Sequence, residues 1–402
     1  MATKFLKILG DKLVNKDENH VESAKRMVNN IQQMVGIRNI FGDKNMKQYT
    51  VSSILLSLMF SGCFIYVGQF SQLFFLARVL PDKVLSFQAM NCFSSTCVPL
   101  TKFFFMYLSR NRLKIITEMS SEAINTISPG TAAHRTMMSV LYKARYASWL
   151  VIVNQVFTHF VYIFLPFVMT IFSNERHLPT TPGHIYGFST LKYQSPYYEI
   201  AFVLIVISTM FSAVNQTGYI VLFVTLLAHE LGHFYAICET LNDINKIIKD
   251  NKQKQKNIGE LLKFCVKHHQ FLYRFHEKIS ILYRIIFGVH FLIMVIVLVT
   301  TLQTLNSWGL MNTILTGVTG IMPLMVYCFG GEIIISAASK TSQAIYSCGW
   351  QGMDVKHAKV VLLMLCLSQQ PLYYTAAGIF IMNRETFGDV AQVVYKIYAV
   401  FN

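Results

Sequence analysis

Five consecutive residues, His229-Glu230-Leu231-Gly232-His233, carry the spacing that zinc peptidases use. Two histidines four apart lie on one face of a helix and can share a metal ion, while the glutamate between them activates water. Such a site needs a third ligand. Intramembrane zinc proteases take it from an aspartate in a Leu-Asp-Gly-type segment on a distant span, and this chain has no such segment. Asp243 is near but falls in a polar loop, and His268, His269 and His276 follow in the same stretch. The competing reading is that the histidine pair caps the inner end of a membrane helix and packs on its neighbours. Short motifs match by chance often enough to favour it. No glycine-rich phosphate loop or nucleophile triad accompanies the motif, so no catalytic or metal-ligating residue is assigned, and no cofactor is expected.

A second set of polar residues lies near the carboxyl end. Glu385, Asp389, Gln392 and Lys396 are spaced 4, 3 and 4 apart, which puts them in one stripe along a helix, with Arg384 at its start. Ionisable groups are costly in hydrocarbon, so the stripe must face water or protein. It is either a hydrogen-bond network inside the chain or the wall of a water-filled pore. One such helix cannot enclose a pore, so the pore reading implies an oligomer. Val400 and Phe401 at its outer end would then be candidates for an apolar constriction that gates by dewetting.

A third grouping combines aromatic and Met side chains with a few hydroxyls and amides. Phe87, Met90, Asn91 and Phe93 belong to it, as do Tyr197, Tyr198, Phe202 and Ile205. Asn154, Thr158 and Tyr162 recur at every fourth residue with His159 beside them, and Thr316, Thr319 and Met322 complete the set. Each taken singly reads as ordinary helix packing. Grouped at one depth, they suit a small, mostly apolar ligand.

The elements that position these groups are membrane helices. Apolar runs at 51–77, 84–108, 146–172, 197–231, 281–305, 313–338 and 371–401 each approach or exceed the roughly 20 residues needed to cross a bilayer. Of the 35 Lys and Arg, nine fall in 1–50, six in 109–145, ten in 232–284 and three in 339–359. The intervening connections 78–83 and 173–196 carry two each, and 306–312 none. Positive charge stays inside. The expected fold is therefore an all-α membrane protein with seven transmembrane helices, a cytoplasmic amino terminus and an extracellular carboxyl terminus. That orientation is the inverse of a G-protein-coupled receptor.

Composition agrees: 53% of residues are hydrophobic and 14% charged, and cytoplasmic loops facing anionic lipid account for the net charge of +15 without nucleic acid. The eight cysteines avoid the outer connections, which predicts free thiols, and no secretory signal is expected at 1–10. The chain reads as a single membrane domain. It has a cytoplasmic region at 1–50, six spans within 51–338, a cytoplasmic segment at 339–370 and a last helix at 371–402. Met27, Ile31, Met34 and Val35 predict a short amphipathic helix on the inner surface. Stretch 242–280 predicts extensions of two spans around a polar, Lys-rich tip. Val360–Leu367 is too short to cross and ends before Pro371, which predicts a short cytoplasmic helix and a separate membrane helix from about 372.

The carboxyl-terminal fifth resembles the insect odorant receptor family. The matching pieces are Tyr346-Ser347-Cys348-Gly349-Trp350, Ala358 to Met364, Ser368-Gln369-Gln370-Pro371, Thr375-Ala376-Ala377-Gly378 and Thr386-Phe387. Topology and length are similar over the whole chain. The resemblance implies a ligand-gated cation channel in the plasma membrane of a sensory neuron dendrite, with no G protein required. It implies a tetramer whose last helix lines the pore, with the inner halves of spans four to six and the short preceding helix anchoring subunits together. It also implies a volatile-ligand pocket in the outer half of spans two, three, four and six. The modest linker between spans four and five is similar to a ligand-specific subunit, since the shared co-receptor carries a much larger insertion there. Lys396 stands where the resemblance leads us to expect a small polar residue. That points to a hetero-oligomer with co-receptor subunits.

Overall fold

The computed structural model describes residues 20–38, 50–173, 175–179, 185–249, 255–305 and 310–401. The helices are α1 (His20–Gln33), α2 (Val51–Val79), α3 (Lys83–Leu108), α4 (Arg110–Asn125), α5 (Ala132–Phe172), α6 (Tyr197–Lys249), α7 (Gln255–Gln303), α8 (Leu310–Tyr346), α9 (Val355–Ser368) and α10 (Arg384–Phe401). Strands β1 (Thr375–Ala376) and β2 (Phe380–Ile381) form an antiparallel hairpin. Several helix starts are set by a single oxygen-bearing side chain that takes up a free N–H group. The Thr50 hydroxyl accepts from Ser53 N at 3.2 Å, and Asp82 from Leu85 N at 3.0 Å. Thr131 accepts from His134 N and Asp354 from His357 N, each at 3.1 Å.

α6 is the central post. Asn215 to Phe223 are all buried, a helix covered on every side as only a core helix is. It packs on α5, α7 and α8, and most of the chain's buried apolar residues form one cluster around it.

Among the described residues, five helical stretches are long and apolar enough to cross a membrane: Val51–Val79, Ala132–Phe172, Tyr197–Lys249, Asn257–Gln303 and Thr313–Gly352. The two other expected spans fall short of that measure. α3 has 26 residues but includes Lys83, Lys102 and many Ser and Thr, while α10 carries Arg384, Glu385, Asp389 and Lys396 within 18 residues.

Two expectations need correction. The last helix begins at Arg384 and not near 372, because residues 375–381 turn back as the hairpin, with Ala377 and Gly378 at φ 56° and 79°. The inward side of α1 meets protein: Val28 and Gln32 are buried, with Gln32 Nε2 3.4 Å from the Val214 carbonyl of α6, and just beyond the helix Val35 is buried while Met34 is 63% exposed. The extensions expected on either side of the Lys-rich tip are present: α6 runs to Lys249 and α7 starts at Gln255, with Leu272 and Phe275 fully buried. The tip itself, including Lys252 and Lys254, lies outside the described residues, as does the side chain of Phe401.

Candidate ligand cavity and pore helix

A cavity of about 190 Å³ lies where α2, α3, α5, α6 and α8 meet. Of the residues expected to bind ligand, Thr158, His159, Tyr162, Ile205, Thr316 and Thr319 line it. Phe87, Met90, Phe93, Asn154, Tyr198, Phe202 and Met322 do not. The face of α3 that turns inward carries Asn91, Cys92, Ser95 and Thr96, which leaves Met90 38% exposed on the outside. Tyr198 and Phe202 join a separate apolar cluster with Leu178 and Ile185, and the Tyr198 hydroxyl donates to the His177 carbonyl at 3.2 Å. Met322 packs on the central core.

The unexpected wall is α2, through Phe64, Val67, Gly68 and Gln72. Residues 65–70 there form a π-helical turn, a local widening often found at functional sites. Thr96 of α3 closes onto it. Its hydroxyl lies 2.8 Å from the Gly68 carbonyl oxygen and accepts from Gln69 Nε2 at 2.8 Å. A Cβ on Gly68 would stand 3.0 Å from the Thr96 methyl, so the approach favours glycine. The available signal was the polar spacing of Gly68, Gln69 and Gln72 inside an apolar run, and likewise of Ser208, Thr209, Ser212 and Gln216 in α6.

The hydrogen bonds decide what the cavity can offer. Thr158, Ser208 and Thr209 each donate back to the carbonyl four residues earlier at 2.8 Å, and Thr319 does so at 3.0 Å. Their protons are spent inside their own helices, so they present acceptor lone pairs only. His159 Nδ1 lies 2.8 Å from the Gln155 carbonyl, which leaves Nε2 as the acceptor in a neutral ring. The Tyr162 hydroxyl has no partner among the described residues, and the Gln216 side-chain oxygen is buried without one. Tyr162 thus offers the cavity an uncommitted hydroxyl donor, as do Ser212 and Thr316, whose hydroxyls also make no hydrogen bond among the described residues. Mostly apolar walls with few polar anchors suit a small ligand carrying one oxygen function. Deeper in α3, Lys102 is 1% exposed, makes no hydrogen bond and stands 5.3 and 5.8 Å from the Tyr219 and Tyr327 rings. A lone Lys in an apolar run was its sequence signal.

α10 presents two faces. Thr386, Val390 and Val394 are buried against α7 and α8, whereas Glu385, Asp389, Gln392 and Lys396 are exposed and unpartnered among the described residues. Val400 is 81% exposed. The start of this helix is held by the hairpin. Ala377 N donates to the Arg284 carbonyl at 2.8 Å, Met382 N to the Tyr374 carbonyl at 2.9 Å, and Thr386 N to the Asn383 side chain at 2.9 Å. Gly288 makes room for the hairpin, since a Cβ there would fall 2.7 Å from the Ala377 methyl.

The histidine–glutamate motif sits under this hairpin, fully buried. Glu230 accepts from the Tyr374 hydroxyl, and its other oxygen lies 2.7 Å from His276 Nδ1. His276 Nε2 faces the Tyr373 carbonyl at 3.2 Å, so both ring nitrogens are placed to donate, which fits an imidazolium–carboxylate pair. Burial, then the Glu230 charge, pushes the Tyr374 phenol well above its ordinary value and keeps it a donor. His229 Nδ1 contacts the Ser120 hydroxyl at 2.5 Å, and His233 Nδ1 contacts His268 Nδ1 at 3.1 Å. Glu230 is committed to two donors, not to a water. Among the described residues, no three His, Cys, Asp or Glu side chains are grouped as metal ligands.

A sequence profile described as 7tm Odorant receptor matches residues 84–395. Curated relatives include odorant receptor 10a of Drosophila melanogaster, 30% identical over 24% of this chain and 23% of its own length. Odorant receptor 30a of the same organism is 24% identical over 57% of this chain and 60% of its own length. The aligned parts therefore span from about a quarter to three fifths of these relatives. In fold, the chain is similar to the olfactory receptor OR5 from Machilis hrabei solved in complex with eugenol. That likeness has a TM-score of 0.79 at 12% identity and covers 95% of this chain and 99% of that one. A second structure of the same receptor superposes with a TM-score of 0.75 at 13% identity, over 96% of this chain and 99% of that one.

Proposed function

This chain belongs to the 7tm odorant receptor family, and on that footing we propose that it is an odorant-binding subunit of a ligand-gated cation channel. The cavity between α2, α3, α5, α6 and α8 would take a small volatile, held by shape and dispersion with Tyr162 as polar anchor. A receptor of similar fold solved with eugenol supports a ligand of that size class. In a tetramer with co-receptor subunits, α10 would line the pore.

The observation that carries this reading is the two-faced α10. Its apolar side is packed, while its ionisable side has no partner among the described residues. An intrachain network would have buried and paired that stripe. The alternating Lys and Arg content supports seven crossings, with the amino terminus inside and the carboxyl terminus outside the plasma membrane. In α9, Leu362 and Leu363 are 60% and 71% exposed, an apolar surface that suits packing between subunits. A ligand shifts the gate only by its differential affinity for the open and closed states. The zinc-protease reading finds no support, because the motif's glutamate is engaged by His276 and Tyr374.

The test is whole-cell current from cells expressing this chain with and without an insect co-receptor, under a broad volatile panel and with G-protein signalling blocked. A fast cation current requiring both chains is the expected result. Volatile responses that vanish with the G-protein block would overturn the channel reading.

A further inference from the structure

The buried face of α10 does not close fully on its neighbours. Between it, α7 and α8 lies a second cavity of about 320 Å³. Its walls are Leu298 and Leu302 of α7, Gly317 and Ile321 of α8, and Val390 and Val394 of α10. Thr301 and Thr313 also reach it, but the Thr301 hydroxyl lies 2.6 Å from the Val297 carbonyl and so has its proton spent. Protein interiors pack as densely as organic crystals, and apolar cavities stay dry and take up hydrocarbons. An engineered cavity of roughly 150 Å³ holds benzene. This one has room for a larger hydrocarbon and little to offer a polar group.

The cavity is separate from the odorant cavity but shares walls with it. Asn91 lines the first and its Nδ2 lies 2.8 Å from the hydroxyl of Thr301, which lines the second. In α8, Thr316 and Thr319 face the first while Gly317 and Ile321 face the second. Any displacement of α10 toward α7 and α8 must use the second cavity's volume.

We propose that this cavity is a second ligand site, for a small hydrocarbon without hydrogen-bonding groups taken up from the bilayer, whose occupancy opposes pore opening without competing with odorant. The proposal rests on the reading of α10 as the pore helix. The guest and the retreating helix contend for one space, so the guest lowers the maximal response in a way that more agonist does not overcome.

The test uses the full chain co-expressed with a co-receptor and decalin as the probe. Agonist dose–response curves should lose at least half their maximum with decalin present, and no agonist concentration should restore it. Gly317→Leu should abolish that loss, since a Cβ at Gly317 meets no atom within 4 Å and a larger side chain fills the void. Gly317→Cys gives a second route, in which inhibition is present before and absent after reaction with benzyl methanethiosulfonate, with the equally treated parent as control. A parallel rightward shift of the agonist curve would place decalin in the odorant cavity and overturn the proposal. So would an unaffected parent, as expected if a lipid chain fills the space, or equal inhibition in Gly317→Leu. Decalin should also raise the Tm of the purified parent complex but not of Gly317→Leu. This binding readout separates failure of the second site from failure of the channel reading, which would show as no odorant-evoked current before decalin is added.

Discussion

Tyr162 and Glu230 occupy opposite ends of the chain's polar chemistry, one uncommitted and one fully engaged. Because Thr158, Ser208, Thr209 and Thr319 return their protons to their own helices, Tyr162→Phe removes one of the cavity's few free hydroxyl donors. Agonists that accept a hydrogen bond should lose about tenfold in potency, the equivalent of about 1.4 kcal/mol. Hydrocarbon-like agonists should be unchanged and surface expression intact. Identical dose–response curves for every agonist would sink this role for Tyr162. Glu230→Gln leaves the buried His276 without its counter-charge and should destabilise by about 3–5 kcal/mol, read as a lower Tm of the purified complex. Odorant-gated current should survive His229→Ala, which a hydrolase would not.

At the scale of elements, α10 decides between channel and scaffold. Glu385→Gln and Asp389→Asn should each lower the permeability of cations relative to anions, because each removes a negative charge from the proposed lining. Lys396→Gln should have the opposite sign and raise unitary cation conductance. Reversal potentials and single-channel currents provide the check, and unaltered values in all three variants would return the stripe to a packing role. The stripe was legible because spacings of 4, 3 and 4 survive any helix boundary. The boundary was not, because Leu372 to Met382 are apolar enough to read as helix, and only their contacts with Arg284 and Gly288 turn them into a hairpin.

For the whole molecule, exposure of Leu362 and Leu363 on α9 is surface that a lone chain leaves unpaired. Leu363→Glu should reduce recovery of the co-receptor in a pull-down by at least severalfold, while thermal stability of the isolated chain changes little. Undiminished recovery would remove α9 from the interface. Such a surface fits the proposed channel, in which other subunits would complete the conducting path.

Some of this was determined by sequence alone. Helical spans, the Lys and Arg alternation and the α10 stripe depend on composition and on the 3.6-residue period, and both are local properties. Thr158, His159, Tyr162 and Thr319 could be chosen for the cavity because they are polar residues on apolar helices. Tertiary structure decided what depends on rotation and distant contact. It turned Met90 and Tyr198 away, brought in α2 through its π-helical turn, and buried α1 against α6. It also gave His229, Glu230 and His233 partners up to 144 residues away, so that a motif spaced for metal serves to seat the hairpin before the last helix. Helical period reports which residues share a face, but only packing fixes what that face meets.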